Sequence, residues 1–202
     1  MIPISWLNFL VMNLSMILFA YFSIISVMPV SREEKYGEKA WQDCYRYRLL
    51  MSVFAGIMIV NMFLWMFYPI EELALVVFPN HVFSVIIGIG ILIPCSIILY
   101  LALKHGGKEH LKPDKETSLH GGVYKIIRHP GIWGEMPMYV AIGFIINSLF
   151  IIIWVTCFVI VYTPIYIYFE EKDLVKRFGK PYLEYRKNTG ALIPKFRRKN
   201  SY

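Results

Sequence analysis

All 21 Lys and Arg residues of this 202-residue sequence fall into three blocks: five between Arg32 and Arg48, six between Lys104 and Arg128, and ten between Lys172 and Lys199. The stretches between them hold no cation. Met1 to Ser31, Leu49 to Ile70 and Leu73 to Leu103 are uncharged, and His129 to Phe169 carries only Glu135. A hydrocarbon core of about 30 Å takes about 20 helical residues, so each stretch is long enough to cross a bilayer. Lys and Arg are retained on the cytoplasmic side during insertion, which puts the three blocks on one face and sets the crossings by parity. The first stretch crosses once from an outside N-terminus. Residues 49 to 103 go out and back, turning between Pro69 and Asn80, where the only charges are Glu71 and Glu72. Residues 129 to 169 make a hairpin with its tip at Asn147-Ser148.

The fold predicted is therefore an all-α integral membrane protein of five transmembrane helices, at roughly 5–28, 49–69, 81–103, 130–147 and 149–169. The C-terminus is cytoplasmic and continues as a helical extension. Residues 1–202 read as a single membrane domain, with 104–129 and 170–202 as cytoplasmic segments. A chain that is 57% hydrophobic and 17% charged lacks the polar surface of a soluble domain. Its formal charge of +7 is confined to blocks beside apolar spans, so it points to the membrane surface and not to nucleic acid. The last hairpin is short for two crossings, which implies short spans or local thinning of the bilayer. A signal peptide is disfavoured for the first stretch, because no basic region precedes it and no small-residue cleavage site closes it. Cys44, Cys95 and Cys157 show no metal or disulfide spacing.

Ser31 followed by acids suggests the N-cap of a short interfacial helix. The block from Lys104 to Arg128 contains His105-Gly-Gly, Pro113 and His120-Gly-Gly and reads as loop. Past the fifth span, Gly179 fits a helix C-cap and Pro181 the first turn of another helix. Leu174, Phe178, Tyr182 and Tyr185 form an apolar stripe fit for protein or headgroups. Arg197-Arg-Lys199 suits headgroup contact.

The densest polar chemistry lies at the two ends of the last hairpin. Arg128-His-Pro130 enters the fourth span and Glu170-Glu171 leaves the fifth. A hairpin of equal arms makes them neighbours, and such a cluster at a membrane boundary costs free energy that a function would explain. Taken singly, each has a plain alternative. Arg128 suits a snorkelling anchor, His129 a cap and Pro130 a first-turn proline. The two acids are harder to dismiss, since a helix C-terminus disfavours negative charge.

The string from Leu119 to Pro130, followed by Glu170-Glu-Lys-Asp-Leu174, Phe178-Gly179, Tyr182-Leu-Glu-Tyr185 and Gly190-Ala-Leu-Ile-Pro194, resembles the C-terminal region of the isoprenylcysteine carboxyl methyltransferases and of their relatives, the phospholipid N-methyltransferases. The resemblance covers residues 119 to 196. It implies a membrane-bound methyltransferase using S-adenosylmethionine, with a lipophilic or lipidated acceptor reached from the bilayer. Matched to its motifs, Tyr124, His129, Pro130, Glu170 and Glu171 are implied to bind the cofactor; Gly122 beside them is taken as a further cofactor contact, Arg128 and Glu135 as the catalytic candidates on their own chemistry and place, and Trp133, Tyr182 and Tyr185 as candidates for the acceptor site. Gly88-Ile-Gly90 is similar to a cofactor-associated Gly-x-Gly of the phospholipid enzymes, but paired glycines are common in packed membrane helices and helix packing explains it better. Two departures matter. Ala191 stands where the carboxyl methyltransferases often carry an Arg, which weakens the case for a carboxylate acceptor. Glu135 has no obvious counterpart there, and an acid one turn inside the membrane needs a partner or a proton.

Three other readings compete. Sterol reductases have a similar Arg-His-Pro motif followed by Gly-Glu and bind a nicotinamide cofactor, but they generally have more spans, and no additional basic cluster for a 2′-phosphate is present here. A non-enzymatic membrane scaffold leaves the charged cluster without a reason. His105, Glu109, His110 and His120 have metal-ligand chemistry without a recognised spacing.

Overall fold

The computed structural model describes residues 3–107, 112–113, 115 and 121–195. Among these are seven α-helices: α1 (Ile4–Ser26), α2 (Pro29–Tyr36), α3 (Lys39–Leu64), α4 (His81–Gly106), α5 (Pro130–Ile145), α6 (Leu149–Phe178) and α7 (Lys180–Asn188). Backbone pairing of the β type is limited, in the same residues, to two isolated bridges. Four helices, α1, α3, α4 and α6, are long and apolar enough to cross a membrane. Their outer faces stay bare, with Ile17 65% and Ile160 66% exposed. Water would penalise such a surface and hydrocarbon does not, so the chain is an integral membrane protein.

α5 has 16 residues, about 24 Å of helix and shorter than a usual span. It runs antiparallel to α4, and two glycines allow the close approach. A Cβ on Gly88 would stand 2.7 Å from Ile145 Cγ1, and one on Gly134 would stand 2.7 Å from the Leu99 backbone. Gly88 is thus a packing residue, and Gly90 has nothing near its Cβ position. α1 packs along α3, and the core joins Met12, Met16 and Phe19 of α1 to Met58 and Met62 of α3, Tyr139 and Ile142 of α5, and Val155 and Tyr162 of α6. Polar contacts tie the helices where apolar burial gives little drive inside lipid. Tyr162 donates to Ser23 Oγ at 2.8 Å, and Asn8 donates to the Asn61 carbonyl at 3.2 Å.

The bundle has two unlike ends. At one, the α5–α6 turn is held by Asn147, whose φ of 54° lies in the left-handed region that Asn tolerates. Its Oδ1 accepts from the amides of Val77 at 3.2 Å and Phe78 at 3.1 Å, and Nδ2 donates to the Phe78 carbonyl at 2.9 Å. The turn after α3 and the turn after α5 therefore share an end, and the described parts of the basic segments lie toward the other. α6, at 30 residues, is about 45 Å long and exceeds a 30 Å core, so its last turns project beyond it. Gly179 (φ 60°) ends it and Pro181 sits in the first turn of α7, both as the sequence suggested.

The short helix α2 starts at Pro29, so Ser31 lies within it and is not its cap. The cap comes from α6. Asp173, 2% exposed, accepts from the amides of Val30 at 3.2 Å and Ser31 at 2.7 Å, satisfying orphan donors of the first turn. α3 begins at Lys39, ten residues before the apolar run expected at Leu49, because its first turns carry mixed charge outside the bilayer.

Candidate active site

The site is assembled where the chain enters α5 and leaves α6. Residues 127–129 lie extended beside 190–191. Ile127 and Gly190 form a parallel bridge, the Arg128 amide donates to the Gly190 carbonyl at 2.9 Å, and the His129 amide donates to the Ala191 carbonyl at 3.1 Å. Gly190 is required there, since a Cβ would overlap the Ile193 carbonyl. Trp133 Nε1 donates to the Leu192 carbonyl at 2.7 Å and Tyr185 donates to the Tyr124 carbonyl at 2.6 Å, so the tail after α7 is laced onto the start of α5.

Within this frame His129, 5% exposed, uses both ring nitrogens. Nδ1 is 2.7 Å from Glu170 Oε2 and Nε2 is 3.0 Å from Glu171 Oε1. Glu171 Oε1 also accepts from Arg128 Nε at 2.9 Å and Nη2 at 2.6 Å, and its Oε2 lies 3.2 Å from Arg186 Nε. Arg128 Nη1 donates to the carbonyls of Arg186 and Thr189. Both groups lie beyond the span ends. Burial alone would lower the pKa of His129, but Glu170 and Glu171 outweigh it and hold the imidazole at about 9. Burial would likewise raise Glu171, and the hydrogen bonds from His129 and Arg128 draw it down to about 2. An imidazolium locked between two carboxylates is the neutral-pH state.

A cavity of about 740 Å³ opens from this cluster into the bundle, within the range of small-molecule sites, roughly 300–1,000 Å³. Arg128, His129, Pro130 and Glu170 form its polar end, and Glu135 lies deeper, with Ile59 of α3 and Leu92 and Leu99 of α4 on its apolar wall. Glu135 is half-buried and accepts from the Tyr139 hydroxyl at 2.9 Å. Seven lining side chains are tyrosines, among them Tyr124, Tyr166, Tyr182 and Tyr185. A cationic ligand would therefore meet π faces as well as carboxylates. Tyr182 is 2% exposed and among the described residues its buried hydroxyl has no hydrogen-bond partner, which leaves a donor for a ligand to satisfy.

The structure thus brings together Tyr124, Arg128, His129, Pro130, Glu135, Glu170, Tyr182 and Tyr185. Leu174 and Phe178 of the apolar stripe join this lining and do not face lipid. Three expected residues fall off the cavity wall. Glu171 sits behind the cluster and borders a groove on the opposite side of α6. Gly122 (φ 61°) packs against the His105 ring. Trp133 is 42% exposed and braces Leu192 from outside. His105 Nδ1 accepts from the Val123 amide at 3.3 Å, and among the described residues no metal-type cluster is present. Leu119, Glu109, His110, His120 and residues 197–199 lie outside the described residues. Arg48, Asp173 and Arg186 were not expected from sequence. Arg48 and Asp173 border the cavity, and Arg186 holds Glu171.

Over residues 81–181, half of its length, the sequence matches the phospholipid methyltransferase family. It is 36% identical over 77 residues to the methanethiol S-methyltransferase of Pseudomonas deceptionensis, an alignment that covers 38% of this chain and 28% of that protein. No solved structure matches.

Proposed function

Since this chain belongs to the phospholipid methyltransferase family, we propose that it transfers a methyl group from S-adenosylmethionine to a lipophilic acceptor whose nucleophile arrives carrying a proton, a thiol or an amine. In this reading α5 is a fifth, short span, the N-terminus is outside, and the site faces the cytoplasm, where the three basic blocks belong. The observation that carries it is one cavity with two chemistries: His129 and Glu170 wall its boundary end, and Glu135 stands about 9 Å further along α5, six residues at 1.5 Å each.

S-adenosylmethionine supplies, when bound, a methyl carbon on a positively charged sulfur. The donor set fits it. Glu170, oriented by His129, and the tyrosine faces suit the cation and the amino group, the Tyr182 hydroxyl gains an acceptor, and Arg128 suits a carboxylate. Burial pushes the Tyr182 phenol above its usual range, so it stays a neutral donor. Pro130 and Tyr124 shape the wall, and Tyr185 holds Tyr124 through its carbonyl.

The apolar wall of Ile59, Leu92 and Leu99 is suited to a hydrocarbon tail and keeps water from the nucleophile. A thiol must shed its proton as its new bond to carbon forms, and an amine must shed one from the ammonium that this bond creates. Glu135, oriented by Tyr139, takes it. A carboxylate acceptor fits poorly, because it has no proton to give and would sit against Glu135. The alanine at position 191 points the same way, and so does the thiol substrate named for the Pseudomonas relative.

The test uses purified protein in nanodiscs. S-adenosylhomocysteine is expected to raise the melting temperature and NADPH to leave it unchanged. Methyl-labelled cofactor incubated with membrane extract is expected to label a thiol or amine lipid. Stabilisation by NADPH alone would overturn the reading, and label in a carboxyl ester would overturn the acceptor class.

A further inference from the structure

A second concavity lies on the other side of α6. It is a groove of about 700 Å³ whose floor includes Pro164, Ile167 and Val175 of α6 and Leu192 of the tail. The α6 members fall at helical spacing on one face. Its rim carries three cations, Lys172, Lys176 and Arg186. Those cations stand where α6 leaves the bilayer, at the level of the headgroups, and the floor runs from there into the hydrocarbon.

The charge of this rim is balanced only in part. Glu171 is the acid among the groove's lining residues, and its oxygens are already occupied by Arg128, His129 and Arg186. Lys176 reaches Glu34 at 2.6 Å, a carboxylate that is itself 60% exposed. The Lys172 ammonium lies 5.9 Å from the Tyr168 ring centroid, and among the described residues no carboxylate lies within ion-pair distance of it. Arg186 is 52% exposed. An excess of cations above an apolar trough is complementary to one kind of molecule, an anionic headgroup joined to acyl chains.

We infer that this outer face of α6 binds an anionic phospholipid, with the phosphate between Lys172, Lys176 and Arg186 and an acyl chain along Pro164, Ile167 and Leu192. The site is separate from the cavity that holds Glu135, and it stands whether or not the methyl-transfer reading does. It takes its ligand sideways from the leaflet, and no chemistry occurs there.

The experiment uses the full chain in phosphatidylcholine nanodiscs carrying a photoactivatable phosphatidylglycerol in its acyl chain. Label is expected on the outer face of α6 and on 190–195. A headgroup-level cation contributes about 1 kcal/mol, roughly fivefold in affinity, so Lys172→Ala with Lys176→Ala should weaken competition by unlabelled phosphatidylglycerol by about 25-fold. Lys180→Ala with Lys187→Ala removes two exposed cations from the same corner that do not line the groove, and should change it little. Equal loss in both pairs, or label on α1 or α3 instead, overturns the site and leaves only general attraction to a charged surface. The S-adenosylhomocysteine melting shift is expected to survive in both pairs, which shows that they fold. If wild type gives no such shift, the methyl-transfer reading fails while the labelling pattern still decides this one.

Discussion

Glu170 and Glu171 are adjacent in sequence and look in different directions. Glu170 borders the inner cavity, which reaches toward α3 and α4, while Glu171 borders the groove on the far side of α6. The inner side is rich in hydroxyls and acids held by side chains from distant elements. The outer side is a trough of one helix face and a tail, topped by exposed cations that meet Glu34, Glu171 and the Tyr168 ring. The difference is one of preorganisation. His129 is held at both nitrogens before any ligand arrives, and its environment favours a reaction that cannot wait for side chains to rearrange. The outer rim gives more exposed charge with fewer contacts to fix it, which suits retention of a lipid and not catalysis.

If that contrast holds, substitutions on the two sides should separate cleanly. The largest effect is expected from Glu171→Ala, which leaves Arg128 and His129 buried without their shared partner. The estimated cost is about 3–5 kcal/mol, read as a fall in melting temperature together with loss of S-adenosylhomocysteine binding. pH tests the same cluster. His129 is raised to about 9 from 6.5, so its contribution is complete below 6.5 and declines as pH climbs to 9. Glu171 is lowered to about 2 from 4.5, so its contribution is complete above 4.5 and is lost as pH falls toward 2. Thermal stability should therefore plateau between those limits, and a maximum near pH 9 would contradict the imidazolium.

Glu135→Gln is expected to lower turnover by about 10²–10⁴-fold while leaving S-adenosylhomocysteine affinity intact. Unchanged turnover and pH dependence would remove Glu135 from the reaction. Gly88→Val probes packing alone, and overfilling the α4–α5 contact should cost about 1–3 kcal/mol in melting temperature with little change in the remaining activity per folded molecule. The smallest effect is expected from Trp133→Phe, which gives up one hydrogen bond outside the cavity. A loss of about 1 kcal/mol with acceptor KM unchanged would mark it as a brace, and a KM change would return it to the acceptor site.

Much of this arrangement was legible in the sequence because membrane insertion reads the same signals. The hairpin tip at Asn147-Ser148, the stop at Gly179, the restart at Pro181 and the meeting of Arg128-His129 with Glu170-Glu171 all follow from charge placement and turn chemistry. The outward turn of Trp133 was also available. Ile132, Glu135, Met136 and Tyr139 repeat at three- and four-residue steps, and Trp133 is off that face. Other features had no local signature. The capping of α2 by Asp173 joins positions 142 and 143 residues apart, and no pattern near Ser31 announces it. Arg186 and the cavity tyrosines Tyr139 and Tyr166 look like ordinary helix residues until several helices are packed. The split between Glu170 and Glu171 depends on helical phase, since neighbours on a helix differ by about 100°.

The extended pairing of 127–129 with 190–191 has a consequence for biogenesis. Arg128 and His129 enter the membrane boundary long before their partners on the far side of α7 have been synthesised. Until then their amides and the Arg128 guanidinium lack the carbonyls of 186–191 that later receive them. A nascent chain can thus complete every crossing before this cluster closes. The cluster around Arg128 and His129 is completed only when residues 186–191 dock against 127–129.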